Sequence, residues 1–282
     1  MGSGFSETAL AVFTTLAPMG ACSFIIIAAT VFTQTLEQDA FKRLDRMTIV
    51  PILVMVAGFI GAFFHLANPM NAFWVLAGLG SSPLSNEVVI GGMFVVLTLV
   101  FWIVAARKEL DLKAHKIWLG VISVCAIIFT LFCGFAYLMY TIPTWNTPWT
   151  VVQMLGCGLL GGAVLGALTV IISKQPIEGV VRKIALVQAI LGFCLALLGF
   201  CMQIAVATGF QNIWGSVVQE IPGLWLIVVL LVACAAVGVA SQTSLLKRIT
   251  SPAALSVVCI IVGIGIFFTR IGFYSMYAGI AM

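Results

Sequence analysis

The sequence predicts an all-α integral membrane protein of eight transmembrane helices with both termini on the outer side, and three observations lead there. Of its 282 residues, 62% are hydrophobic and 8% charged, whereas an average soluble domain carries about 25% charged residues. The apolar residues form solid runs of about 20, enough to cross a bilayer at about 1.5 Å per residue. The positive charges lie between alternate runs, not between all of them. Thirteen Lys and Arg with nine Asp and Glu cannot coat a soluble core of this size. A barrel would alternate over about ten residues instead of running unbroken. No fixed-period repeat or low-complexity linker divides the chain, so residues 1–282 read as one eight-helix domain.

The first run spans Thr8 to Thr33. The stretch before it lacks the basic flank and small-residue cleavage site of a secretory signal, so the helix is expected to stay. "MGSGFS" fits a myristoylation pattern, which an outward-facing terminus would hide from a cytoplasmic transferase. A polar loop, "QTLEQDAFKRLDRM", leads to the second run, Thr48 to Leu66. The third, Glu87 to Ala105, is followed by "RKELDLKAHK" and the fourth, Ile117 to Tyr140. The fifth, Trp149 to Ser173, is joined by "KQPIEGVVRK" to the sixth, Ile184 to Ala207. The seventh, Gly223 to Gln242, precedes "LLKR" and the eighth, Ala253 to Ala278.

Twelve of the thirteen basic residues sit in those four named loops. The positive-inside rule therefore puts the four loops in the cytoplasm and both termini outside. A net charge of +4 thus reports topology and gives no reason to invoke nucleic acid. The eight cysteines fall within the runs and form no CxxC pair, which reads as buried thiols and not as iron–sulfur ligands. The two histidines, His65 and His115, lie at opposite ends of their spans, His115 in a loop among lysines. They cannot ligate one haem between them, so the chain is expected to carry none.

Charged groups inside a bilayer cost about 2.5–3.5 kcal/mol on insertion scales and normally face a partner or a cavity. Glu87 opens the third span from outside; Arg270 lies about 17 residues into the last, roughly 25 Å up the helix. With His65 they place three ionisable groups from three spans near the outer face. A purely structural account pairs Glu87 with Arg270 and leaves His65 capping its helix. Asn68 and Pro69 stop the second helix, while Pro83, Ser85 and Asn86 supply turn and capping chemistry before the third. Between them "MNAFWVLAGLG" reads as a short interfacial segment that roofs a polar niche.

These residues carry a resemblance. "HLANPMNAF" at His65 to Phe73 with "LSNE" at Leu84 to Glu87, "TIPTW" at Thr141 to Trp145 and "RIGFY" at Arg270 to Tyr274, on an eight-span chain, resemble the membrane anchor subunits of bacterial dimethyl sulfoxide reductases along the whole chain. The resemblance implies a bacterial inner-membrane subunit of an anaerobic respiratory complex. Its partners would be a molybdopterin catalytic subunit and an iron–sulfur electron-transfer subunit, neither encoded here. It implies menaquinol as bound substrate, with the family's quinol-site histidine at His65. Position extends that site to Glu87 as a proton relay and Arg270 as its holder, and to Asn68, Ser85 and Asn86 as headgroup hydrogen-bonding candidates. The connections "TIPTWNTPW" and "TGFQNIWGSVVQEIPG" are the expected docking face.

Three alternatives stay open at this point. Related anchors serve reductases and dehydrogenases of other sulfur, selenium and nitrogen compounds. A transporter would place ionisable groups and broken helices at the bilayer midplane, and the fourth to seventh runs contain no Asp, Glu, Lys, Arg or His. A passive anchor without a quinol site fits the same topology.

Overall fold

The computed structural model describes residues 4–65, 74–75, 77–107, 110–212, 215–221, 223–243 and 251–277. Eight helices in it are long and apolar enough to cross a membrane, and this is a multi-pass membrane protein. The first span opens with a 3-10 turn, Gly4–Glu7, and continues as α1 (Thr8–Cys22) and α2 (Phe24–Thr33). The break falls at Ser23, whose carbonyl accepts from both Ile26 and Ile27 N–H and whose hydroxyl bonds back to Gly20 O at 2.7 Å. Such back-bonding competes with the regular ladder and bends helices.

The polar loop expected before the second span is instead helical: α3 (Gln38–Met47) runs through Thr48 into α4 (Ile49–His65). The reason is amphipathicity. Ala40, Leu44 and Asp45 turn inward while Arg43 and Arg46 stay in contact with solvent, so the segment buries one stripe and solvates the other.

The third span is α5 (Pro83–Arg107). The fourth, α6 (Leu112–Phe135), begins five residues before the expected start because Asp111 caps it, accepting the Ala114 N–H at 3.2 Å. The remaining spans are α7 (Pro148–Ile172), α8 (Gly179–Thr208), α9 (Leu224–Gln242) and α10 (Pro252–Ser275). Between α8 and α9, the strands Gln211–Asn212 and Gly215–Ser216 pair antiparallel, followed by a 3-10 turn, Val217–Glu220.

The first span and α7 are buried along most of their length, and the other six pack around them. Lipid tails are as apolar as leucine, so helices in a membrane associate through close backbone approach instead of hydrophobic exclusion. The α7–α8 contact shows this. A Cβ at Gly156 would run into the Ala196 backbone, and one at Gly192 into that of Leu160.

Gly4 lies against Ile271 and Ser275 of α10, so the opening 3-10 turn and the end of α10 share one end of the bundle. Cys194 and Cys201 are not buried thiols as expected; they sit on the outward face of α8, where a thiol behaves as a small apolar group.

Candidate functional site

At the end of the bundle where the 3-10 turn meets α10, a cavity of about 420 Å³ opens between that turn, α4, α5, the 136–147 connection and α10. His65 and Glu87 both line it. His65 is the last residue of α4, and its side chain is 41% exposed. Its Nδ1 lies 3.2 Å from Glu7 Oε2, at ion-pair distance but without the alignment of a hydrogen bond. Glu87, in the first turns of α5, is 2% exposed. The Cys133 thiol of α6 is its polar neighbour, and its Oε1 has no hydrogen-bond partner among the described residues.

Arg270 is fully buried behind the cavity wall. Its Nε donates to Thr14 Oγ1 at 3.1 Å and its Nη1 to Gln153 Oε1 at 2.5 Å. The guanidinium carbon stands 4.1 Å from the Phe273 ring centroid, 5.2 Å from that of Tyr274 and 5.5 Å from that of Tyr137. Desolvated cation–π contacts of this kind contribute about 2 kcal/mol or more and offset part of the cost of burying the charge. The structural ion pair weighed for Glu87 and Arg270 is not formed: among the described residues no carboxylate lies within ion-pair distance of the guanidinium. Arg270 is nevertheless close enough for Glu87 to feel its charge.

The other candidates separate. Asn86 Oδ1 accepts the Gly80 N–H at 2.7 Å, and Ser85 packs beside Gly78. Both face the turn that precedes α5, and neither lines the cavity. The Asn86 side chain is thus bound to the backbone of that turn. Asn68 lies outside the described residues.

His115 is not a solvated loop residue. It is 3% exposed in the first turn of α6, with Nε2 2.9 Å from Asp45 Oδ2 of α3 and the Phe41 ring centroid 5.0 Å away. Twenty-two residues separate it from Tyr137 at the cavity, about 30 Å along a helix. Among the described residues, no three His, Cys, Asp or Glu side chains converge where they could hold a metal ion.

Sequence reasoning missed Glu7, Tyr137, Trp145 and Tyr274, which complete the cavity wall, and Thr14 and Gln153, which hold Arg270. Polar Thr14 and Gln153 inside apolar runs were the available signal. Tyr274 and Trp145 stand in "RIGFY" and "TIPTW", where the sequence assigns them no role. The structure joins these two segments: Trp145 Nε1 donates to Phe273 O at 3.2 Å, and Thr144 Oγ1 to Met276 O at 2.6 Å.

Comparison with known proteins adds a family. The sequence profile of the DMSO reductase anchor subunit (DmsC) matches residues 1–276. An anaerobic dimethyl sulfoxide reductase chain of Escherichia coli is 32% identical over 180 residues, 64% of this chain and 62% of that one. Its namesake in Haemophilus influenzae is 28% identical over 177 residues, 62% of each. A sulfite dehydrogenase subunit of Allochromatium vinosum is 30% identical over 134 residues, 43% of this chain and 40% of that one. The matched region thus spans about three fifths of the length of the two reductase chains.

Proposed function

The chain belongs to the DMSO reductase anchor subunit family, and from that premise we propose that it oxidises menaquinol at the His65 cavity and passes the electrons to an iron–sulfur partner subunit. A molybdopterin catalytic subunit would complete the complex and reduce dimethyl sulfoxide or a related compound in anaerobic respiration. The observation that carries the reading is the convergence of His65 and Glu87, from different helices, on one cavity.

Oxidising a quinol releases two electrons and two protons, so the site must offer proton acceptors at the reacting oxygens. Neutral imidazole is both donor and acceptor, with a reference pKa near neutrality. With Nδ1 beside Glu7, the ring leaves Nε2 for a quinol hydroxyl. Glu87 supplies a second acceptor oxygen and Arg270 a fixed positive charge behind it. The electrons need no redox centre in this chain when a cluster in the docked partner receives them.

The basic loops support placing the cavity end and both termini on the outer side of the bacterial inner membrane. The 136–147 connection, with Tyr140 88% exposed, and the 209–223 connection would form the docking face. The similarity to a sulfite dehydrogenase subunit favours a second reading, in which the same site runs in reverse and reduces quinone with electrons from a sulfur-compound dehydrogenase.

His65→Arg tests the proposal. A cation at a helix end can reach water, so the complex should assemble while quinol-dependent turnover is lost. Reduction of the terminal substrate by an artificial dye that feeds the catalytic subunits directly should survive. Unchanged quinol-dependent turnover on membranes with equal amounts of complex would reject His65 as a site residue.

A further inference from the structure

The cavity has an inner polar end that the chemistry at His65 leaves unused. Tyr137, just after α6, and Tyr274, in the last turn of α10, both line it and are 5% and 1% exposed. Their hydroxyls share a hydrogen bond of 2.6 Å. Tyr274 Oη lies 3.3 Å from Thr14 Oγ1, the same oxygen that accepts the Arg270 Nε–H.

Counting protons gives this chain of hydroxyls a direction. Each hydroxyl has one proton and two lone pairs. Thr14 donates its proton to Leu10 O at 2.8 Å, so toward Arg270 and Tyr274 it can only accept. Tyr274 therefore donates its proton to Thr14, and Tyr137 must donate its own to Tyr274. What remains at the cavity is Tyr137 Oη with a lone pair and no proton to give. Glu87 Oε1, on the same wall, has no hydrogen-bond partner among the described residues.

Resting on the quinol reading above, we infer that this inner end is an acceptor-only pole that binds a hydroxyl of an aromatic diol and discriminates against the corresponding dione. A quinol presents O–H donors and fits; a quinone presents only carbonyl oxygens and meets lone pairs. Tyr137 contacts the ligand, while Tyr274 and Thr14 are positioning residues that act through the orientation of the Tyr137 proton. The arrangement favours loading of substrate and release of product, because oxidation converts a donor ligand into an acceptor.

The test is binding of a water-soluble naphthoquinol and its naphthoquinone to the intact complex in detergent. The unaltered complex should prefer the quinol. Tyr274→Phe keeps the ring but removes the acceptor for the Tyr137 proton, which is then free to point into the cavity. The quinol-over-quinone preference should fall about tenfold, as expected for one hydrogen bond gained or lost. Tyr137→Phe should weaken quinol binding by a similar factor and leave quinone binding unchanged. A merely structural role for the tyrosines would lower both affinities together and leave the ratio intact, which would overturn the inference. An unaltered complex that binds quinol and quinone equally would overturn it alone, while one that binds neither would overturn the quinol reading with it.

Discussion

The indole of Trp145 stacks on the ring of Phe273 with centroids 5.1 Å apart and planes 23° from parallel, and its N–H bonds to the Phe273 carbonyl. This contact fastens the 136–147 connection to the end of α10, and so holds Tyr137 against Tyr274 at the inner end of the cavity. Trp145 is 8% exposed and packs also on Tyr137 and Tyr277. Truncating a buried tryptophan costs about 3–5 kcal/mol. Trp145→Ala should therefore lower the thermal stability of the purified complex well below that of Trp145→Phe, which keeps most of the stacking. Equal melting of the two variants would show that the stack contributes little.

Glu87→Gln separates a relay from a structural ion pair. Because the partners of Arg270 are Thr14 and Gln153, neutralising Glu87 should leave the amount of assembled subunit unchanged. Quinol-dependent turnover should slow, less severely than in His65→Arg, since an amide cannot accept a proton from the ligand. Loss of the subunit from membranes, measured by immunoblot, would instead mean that Arg270 depends on the carboxylate.

The buried Asp45–His115 pair lies at the opposite end of the bundle from the cavity. Removing one partner of such a pair costs about 3–5 kcal/mol, because the other remains buried and uncompensated. Asp45→Ala should reduce the yield and melting temperature of the complex but leave quinol turnover per assembled complex unchanged. A fall in turnover per complex would couple this end to the cavity.

Topology is tested by reporter fusions. Twelve basic residues in alternate connections predict cytoplasmic signals for fusions after Arg46, Lys116, Lys183 and Arg248, and an outer-side signal for one at Met282. A cytoplasmic Met282 reporter would contradict the proposed orientation.

By itself the sequence determined the number of spans and most of their limits, since bilayer thickness sets a minimum apolar length and charge is too costly to hide within it; it began α5, α6 and α8 too late and ended α6 at Tyr140 where the helix stops at Phe135. It also marked His65, Glu87 and Arg270 as chemically costly groups near one end. It missed α3, because an amphipathic helix on a surface carries neither a long apolar run nor a neutral composition. It placed His115 in a loop because the Asp45 partner lies on another helix, seventy residues away. Only the tertiary structure decided that Arg270 is held by Thr14 and Gln153 and not by Glu87, that Asn86 serves a turn, and that Tyr137 meets Tyr274. Hydropathy reports how deep a residue lies along its own helix. Which residues share that depth and face one another depends on the rotation of each helix about its axis, which is set by close packing at positions such as Gly156 and Gly192.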